Sequence, residues 1–328
     1  MPHRVTQLLK VLIPLTLGIL IIYFLYRKTD FDELWSSIKE TNWWILAFSL
    51  IFGLSGNVIR GLRWNLLIKP LGYHPKVSHL IYAVLGNYAV NFAIPRAGEI
   101  WRCGVITKKE KIPFAKLIGT LLIDRLFDML MVILFIIVAF TLNFNVFYKN
   151  RHEFNLPQIF TSSGLYLGIV ILIALCIAVL VFFKETRMVK KIRNFFISMW
   201  KDMLLVWKMK EKTRFIFYSF GIWISYFLYF YVTFYAFGFT THLGIAAGLF
   251  VFTLGSVSMG IPSNGGLGPW QAAVVFGLCA FRINIEQAKA FATVVFGVQS
   301  IWMILCGLFG IAMLSIKKGN NHLVKIVN

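Results

Sequence analysis

The sequence predicts an all-α, polytopic membrane protein with about six full spans and two re-entrant helical hairpins arranged as an inverted repeat. Composition is the first reason. Of 328 residues, 59% are hydrophobic and only 14% are charged, and the mean hydropathy is +0.75. These values exceed what a soluble domain of this length carries. We therefore expect residues 1–328 to form a single membrane domain.

The basic residues lie mainly in short connections between apolar runs, which predicts contact with the membrane surface. The formal net charge is +20, and Lys and Arg beside membrane spans set orientation and attract anionic lipids. This placement argues against nucleic acid as the partner. Among the four cysteines there is no CxxC spacing or nearby histidine, so we expect no metal site and no cofactor.

Six apolar runs are long enough to be full spans, and the charges beside them place both termini in the cytoplasm. The runs cover 8–26, 43–63, 114–141, 164–183, 215–237 and 288–315. Residues 184–214 carry ten Lys or Arg, with apolar residues at three- and four-residue spacing. This pattern predicts a basic amphipathic helix on the cytoplasmic surface that contacts anionic lipids, and a plain positively charged loop is the alternative.

Two further apolar stretches are interrupted by proline and glycine, which predicts helical hairpins that enter and leave on one side. Residues 79–107 break at Pro95 and Gly98, and residues 244–281 break between Pro262 and Pro269. Proline ends a helix, and glycine permits a tight reversal. The alternative is that each hairpin makes one or two ordinary crossings.

The order of spans and hairpins predicts an internal repeat. Span, hairpin and span in 43–141 correspond in order to span, hairpin and span in 215–315. Counted from a cytoplasmic amino terminus, the first hairpin enters from the cytoplasm and the second from outside. This is the inverted-repeat plan of many secondary transporters.

Polar and ionisable residues collect in the first hairpin and the span after it. An ionisable residue at bilayer depth costs about 2.5–3.5 kcal/mol on insertion scales, so a paired or functional site is expected. The candidate residues for headgroup binding or coupling are Asn91, Glu99, Arg102, Asp124, Arg125 and Asp128. One interpretation is a charge-neutral clamp between hairpin and span.

The functional interpretation of the same residues is a lipid headgroup site. A guanidinium binds phosphate bidentately, so Arg102 or Arg125 would receive the phosphate. Asp124 or Glu99 would take an amine or a coupling proton. Arg60, near the predicted end of its span, is expected to reach the interface instead.

The second break is rich in glycine and invites two interpretations. The turn would leave bare N–H groups at the start of 270–281, which is a site for phosphate or carboxylate. The glycines could equally serve only a tight reversal. The candidate helix-break residues of both hairpins are Pro95, Gly98, Pro262, Gly265, Gly266, Gly268 and Gln271.

Three motifs carry a resemblance to a known family. They are Asn91-(three)-Pro95-(two)-Gly98-Glu99-(two)-Arg102, then Asp124-Arg125-(two)-Asp128, then Gly265-Gly266-Leu267-Gly268. In this order they resemble the transmembrane region of the lysylphosphatidylglycerol synthase family, the flippase-like domain. The resemblance implies a multi-pass protein of the bacterial cytoplasmic (inner) membrane. In its best understood members this region is the lipid-flipping part of an enzyme that makes and exports aminoacylated phosphatidylglycerol.

The chain departs from that family's pattern at three positions. Gln271 and Asp124 stand where the family often has Glu, and the region of Gln299 lacks the Arg often found there. These departures weaken the case for a charge-coupled step in the second half. No soluble aminoacyl-transferase domain precedes Asn328, so lipid aminoacylation by this chain alone is not expected.

Residues and resemblance together predict a membrane lipid transporter rather than an enzyme. We expect an anionic or amino-modified phospholipid to move between leaflets through a central polar cleft, and a homo-oligomer is compatible with this plan. No ATP-binding loop occurs in the sequence. The alternatives are an integral-membrane transferase acting on lipid-linked headgroups and a small-solute transporter.

Overall fold

The protein is built from helices. The computed structural model describes residues 15–16, 18–27, 29–149, 209–261 and 263–316, with the backbone alone over 145–149. Every regular element in these ranges is helical. Beyond a helical segment over 18–26, the α-helices are α1 (Phe31–Lys39), α2 (Trp43–Ile68), α3 (Val77–Ala93), α4 (Ala97–Glu110), α5 (Phe114–Lys149), α6 (Lys212–Tyr231), α7 (Ile245–Ser258), α8 (Pro269–Cys279) and α9 (Ile285–Ser315).

Four helices in the described ranges are long and apolar enough to cross a membrane: Trp43–Leu71, Phe114–Phe144, Lys212–Ala236 and Ile285–Ser315. They confirm a multi-pass, all-α membrane protein. The predicted span 164–183 lies outside the described residues, as do most of the predicted amphipathic helix 184–214 and the start of the span 8–26. The count of six therefore stays a prediction.

Local capping explains where the first two labelled helices begin. Asn42 Oδ1 accepts the Trp44 N–H at 3.1 Å at the start of α2. Asp30 Oδ1 likewise accepts the Asp32 N–H at 3.0 Å at the start of α1. Asn and Asp are favoured at this position because their side chains satisfy otherwise free N–H groups.

Helices α3 and α4 form an antiparallel hairpin. Close to the tip, Gly98 packs on Asn87, and a Cβ at Gly98 would overlap the Asn87 carbonyl oxygen. At the base, His79 Nδ1 contacts Glu110 Oε1. The reversal thus requires glycine at position 98, and it brings the two helices together along their length.

Helices α7 and α8 form a second antiparallel hairpin. Gly255 of α7 packs on Trp270 of α8, and Gly277 packs on Val251. Between the helices, φ is +63° at Gly265, +90° at Gly266 and +88° at Gly268. Glycine is needed in this turn because L side chains rarely adopt positive φ.

The two hairpins approach from opposite ends of α9, and their tips meet. The base of the first hairpin lies at the end of α9, where Lys109 Nζ donates to the Leu314 carbonyl at 2.6 Å. The second hairpin ends at Cys279, shortly before α9 begins at Ile285. Arg96 Nη2 donates to the Gly260 carbonyl at 2.7 Å, and Asn264 Nδ2 donates to the Phe92 carbonyl at 3.2 Å.

The long helices α2 and α6 run antiparallel. Lys69 Nζ bonds Glu211 Oε1 at 3.1 Å at one end of the pair. At the other end, the Asn42 N–H donates to the Ala236 carbonyl at 2.8 Å. Between these ends, a glycine of α2, Gly53, lies against an aromatic ring of α6 and brings the two backbones close together.

Buried apolar side chains form two large clusters among the described residues. One centres on aromatic rings of the second half, including Phe230, Phe234 and Phe291. The other fills the first hairpin and includes Trp64 and Leu80. Charged side chains, including Arg63, Arg102 and Asp124, lie where α2, α4 and α5 meet.

Candidate functional site

Asp124 and Asp128 lie one helical turn apart on α5 and face a set of arginines. Asp124 is fully buried, and its Oδ1 accepts from Arg63 Nη2 at 2.6 Å. Its Oδ2 accepts from Arg102 Nη2 at 3.2 Å. Asp128 accepts from Arg60 at 2.9 Å and from Arg63 at 2.7 Å. The two carboxylates therefore bind α2 and the first hairpin to α5.

Arg63 is the centre of this cluster, and the sequence interpretation missed it. Its guanidinium bridges Asp124 and Asp128 and also donates to Ser219 Oγ of α6 at 3.2 Å. It lies 5.7 Å from the centroid of the Phe215 ring. Three helices, α2, α5 and α6, thus meet at one buried side chain.

The expectation that Arg60 reaches the interface is wrong. Arg60 is 6% exposed, bonds Asp128 and lies 5.7 Å from the centroid of the Tyr226 ring. The reason is the length of the helix, which continues to Leu71 rather than ending near residue 63. Arg60 and Arg63 consequently lie inside the span.

Arg102 connects the first hairpin to α2 and α5. Its guanidinium lies 4.7 Å from the centroid of the Trp64 ring while it bonds Asp124. Trp64 Nε1 in turn donates to Thr120 Oγ1 of α5 at 2.9 Å. A cation over an aromatic face is stabilised by the ring's charge distribution, so this contact helps to hold Arg102 in place.

Arg125 and Glu99 form an ion pair at the edge of the cluster. Arg125 Nη2 contacts Glu99 Oε1, with 42% of the Arg125 side chain and 24% of the Glu99 side chain exposed. The predicted i,i+3 pair with Asp128 is longer, at 4.0 Å. Arg125 and Glu99 are therefore the members of the cluster that another molecule can reach most directly.

A chain of neutral polar groups borders Arg60. Tyr88 and Tyr226 share a hydrogen bond of 2.9 Å between their hydroxyl oxygens. The Tyr226 hydroxyl donates to Asn57 Oδ1 at 2.8 Å. The spacing of Asn57, Arg60 and Arg63 on one helical face is the signal by which sequence analysis could have found this side of the site.

Counted over the residues that the structure describes, the cluster carries more positive than negative charge. Four guanidinium groups, those of Arg60, Arg63, Arg102 and Arg125, meet three carboxylates, those of Glu99, Asp124 and Asp128. Within the described part of the chain, the Nε atoms of Arg60, Arg63 and Arg102 have no hydrogen-bond partner. The cluster fixes hairpin to span as the clamp interpretation expects, but it is not charge-neutral.

Asn91, Pro95 and Gly98 lie at the tip of the first hairpin rather than in the charged cluster. Asn91 Oδ1 accepts the Gly98 N–H at 2.8 Å and so caps the start of α4. Arg96 precedes α4 with φ +61°. The described contacts give Asn91 a role in shaping the turn.

The turn of the second hairpin uses donors that were expected to be bare. The Gly268 N–H donates to Gln271 Oε1 at 2.7 Å, and the Trp270 N–H donates to the Gly266 carbonyl at 3.0 Å. A Cβ at Gly268 would lie 2.6 Å from the Gly18 carbonyl oxygen, so the helical segment over 18–26 closes on this turn. The Gly268 and Trp270 N–H groups are therefore not bare, which favours the tight-reversal alternative at these two positions, and the anion site stays a prediction. Pro262 lies outside the described residues.

The charges also bear on metal binding. Over the residues that the structure describes, no group of three or more His, Cys, Asp or Glu could hold a metal ion. In the charged cluster, each of Glu99, Asp124 and Asp128 is already engaged by arginine. A metal ion would have to displace a guanidinium to bind there.

Comparisons with known proteins identify the family. A sequence model described as Lysylphosphatidylglycerol synthase TM region matches residues 11–307. The protein named glycosyltransferase AglD of Haloferax volcanii is 25% identical over 128 residues, 39% of this chain and 20% of that protein. UPF0104 membrane protein MJ1595 of Methanocaldococcus jannaschii is 26% identical over 125 residues, 37% of each chain. Both matches thus span well under half of the relative's length. No solved structure matches the chain.

Proposed function

Because the chain belongs to the lysylphosphatidylglycerol synthase transmembrane-region family, we propose that it moves an anionic or amino-modified phospholipid between the leaflets of a bacterial cytoplasmic membrane. The headgroup passes the charged cluster through a polar cleft, and the acyl chains stay in the bilayer. The substrate is the lipid itself, and no chemical step is required.

The surroundings of Arg125 carry this proposal. On α5, Leu122 and Met129 lie one turn before and after Arg125 and are 48% and 60% exposed. Ile100, next to Glu99, is 61% exposed. Large exposed apolar side chains on a membrane helix face acyl chains. An ion pair open on such a surface is reached by a molecule that is part polar and part apolar, which is the character of a phospholipid.

The cost of charge at bilayer depth supports a role in headgroup binding. An arginine near the middle of a span is expensive unless it is paired or faces a polar path. Arg125 is partly exposed, although the Asp128 carboxylate is only 4.0 Å away and could pair with its guanidinium more closely. A phosphate bound at Arg125 would offset the cost of that exposure.

The arrangement of helices supports an alternating path. The tips of the hairpins meet, and α2 and α6 run antiparallel. These contacts favour 43–141 and 215–315 as an inverted repeat, with hairpins entering from opposite membrane faces. The charges beside the spans favour a cytoplasmic location for both chain ends. In such transporters the substrate site lies where the repeats meet.

A transferase is the second candidate, since one relative is named a glycosyltransferase. In that case Asp124, Asp128 and Glu99 would act as bases or metal ligands. Their engagement by arginine disfavours this use, because taking up a proton or a metal ion would disrupt the ion pairs that hold these buried carboxylates. Dependence of any activity on a divalent ion would revive it.

Lipid movement is tested in vesicles of known composition. The protein is reconstituted with fluorescent phosphatidylglycerol, and the fraction of label reached by an impermeant quencher is followed in time. We expect fast exchange for the native chain and slow exchange for Arg125→Gln and Glu99→Gln. Arg214→Gln is the matched control, because Arg214 forms an exposed pair with Glu211 away from the cluster.

Unchanged exchange in both Arg125→Gln and Glu99→Gln would contradict the proposal, provided that the variants keep the native thermal unfolding profile. Uptake of a small solute by the same vesicles without lipid exchange would favour the solute transporter instead.

A further inference from the structure

Resting on the proposed function, we infer that the charged cluster selects a lipid whose headgroup is an anionic phosphodiester without an amine. The proposed function leaves anionic and amino-modified headgroups open. The charge and hydrogen-bond balance of the cluster decides between them.

Charge is the first argument. Three carboxylates serve four guanidinium groups, and the two aspartates are shared: Asp124 by Arg63 and Arg102, and Asp128 by Arg60 and Arg63. Over the residues that the structure describes, one positive charge is therefore in excess among these largely buried groups. A phosphodiester brings one negative charge and balances the cluster, whereas an aminoacyl headgroup adds an ammonium to it.

Hydrogen-bonding capacity is the second argument. The cluster has a surplus of donors, because three guanidinium Nε–H groups lack an acceptor within the described residues. A phosphodiester only accepts hydrogen bonds, while an ammonium only donates them. A phosphodiester therefore reduces this surplus of donors, and an ammonium enlarges it.

The third argument is that none of the described carboxylates of the cluster is left for an amine. Asp124 is fully buried, and Asp128 is nearly so, and both accept from two arginines. Glu99 is the accessible carboxylate of the cluster, and it already contacts Arg125. An ammonium at Glu99 would stand beside the Arg125 guanidinium, and like charges at that distance repel.

Binding of short-chain lipids to the purified full chain in detergent tests this inference. The probes are dihexanoyl forms of phosphatidylglycerol, phosphatidylcholine and lysylphosphatidylglycerol, and the readout is the dissociation constant from calorimetry. We expect phosphatidylglycerol to bind at least about tenfold more tightly than the other two, a difference of about 1.4 kcal/mol. Arg125→Gln should remove this preference.

Two variants sharpen the test. Glu99→Gln leaves four guanidinium groups and two carboxylates, so it should bind phosphatidylglycerol more tightly than the native chain. Arg125→Lys keeps the charge, so it should keep the preference for phosphatidylglycerol with weaker binding, since an ammonium lacks the bidentate fork. Arg214→Gln should match the native chain.

Equal affinity for phosphatidylglycerol and phosphatidylcholine, or tighter binding of lysylphosphatidylglycerol, would overturn the inference. So would weaker phosphatidylglycerol binding in Glu99→Gln. Failure of the proposed function looks different: selective binding of phosphatidylglycerol without lipid exchange in vesicles would reject transport and leave the binding site standing.

Discussion

Arg63 and Asp124 form a 2.6 Å ion pair in which both side chains are fully buried. The pair joins α2 to α5, although the two residues are far apart in the chain. Neither side chain is exposed to solvent, so each depends on its protein partners. The surplus of arginine in the cluster makes the two partners unequal in importance.

Asp124→Asn should destabilise the protein much more than Arg63→Gln. Loss of Asp124 leaves two positive charges in excess, and breaking a buried pair in this way costs about 3–5 kcal/mol. Loss of Arg63 leaves three carboxylates for three guanidinium groups, so we expect a cost of about 1–2 kcal/mol, near that of lost hydrogen bonds. The measurement is the free energy of unfolding in detergent micelles.

Arg214→Gln serves as the control for that comparison and should change the free energy of unfolding by less than about 0.5 kcal/mol, since Arg214 forms an exposed pair. If Asp124→Asn and Arg63→Gln lower the free energy of unfolding equally, the cluster has no effective excess of positive charge, and the charge-excess argument is wrong.

The helix breaks and the charged side chains of the first half could be predicted from the sequence. Irregular backbone and ionised side chains are both costly at bilayer depth, so neither occurs there without a reason. Proline, glycine and ionisable residues stand out in an apolar run. These features point to Glu99, Arg102 and Asp124 as candidate site residues, and the structure brings them into one cluster. Their role in binding stays a prediction.

Hydropathy could not predict that α2 contributes two arginines, Arg60 and Arg63, to the charged cluster. A charged residue lowers the local mean hydropathy, so hydropathy places the end of the span at Arg60 and Arg63, whereas the helix continues to Leu71. The carboxylates that neutralise them come from α5, and a one-dimensional pattern does not contain that pairing. At the second break, Gln271 at the third position of α8 was a capping signal that could have shown the Gly268 N–H to be satisfied.

Gly98→Ala should destabilise the first hairpin, while Gly104→Ala on the same helix should not. A Cβ at position 98 overlaps the Asn87 carbonyl oxygen, whereas a Cβ at position 104 meets no atom within 4 Å. We expect a loss of about 1–3 kcal/mol for Gly98→Ala from overpacking. Gly104→Ala should gain up to about 1 kcal/mol from better helix propensity.

Thermal unfolding of these two glycine variants, measured side by side in the same detergent, checks the expectation. If Gly98→Ala unfolds at or above the temperature of Gly104→Ala, the close approach of α3 and α4 at the tip is not as described.

Removing the two hydrogen bonds between the hairpin tips should loosen both tips together. Arg96 donates to the Gly260 carbonyl, and Asn264 donates to the Phe92 carbonyl. Each lost bond costs about 0.5–1.5 kcal/mol. In Arg96→Ala/Asn264→Ala, we expect faster amide hydrogen exchange over 92–98 and 259–266, measured by mass spectrometry.

The matched control for the tip experiment is Ser263→Ala. Ser263 lies in the same turn, and among the described residues its hydroxyl donates to the nearby Ile261 carbonyl rather than to the first hairpin. It should leave exchange in the first tip unchanged. Faster exchange in one tip alone for the double variant would mean that the hairpins do not hold each other.

The proposed inverted repeat predicts that Lys109 and Arg282 lie on opposite faces of the membrane. Lys109 bonds the end of α9 at Leu314, and Arg282 lies shortly before α9 begins at Ile285. A helix of 31 residues, Ile285–Ser315, is about 45 Å long at 1.5 Å per residue, which exceeds a bilayer core of about 30 Å. Lys109→Cys and Arg282→Cys, treated with an impermeant thiol reagent in sealed right-side-out and inside-out vesicles, should therefore react in opposite preparations. Labelling of both from the same face would reject entry of the two hairpins from opposite sides, and with it the repeat, because α9 would then fail to separate their bases across the bilayer.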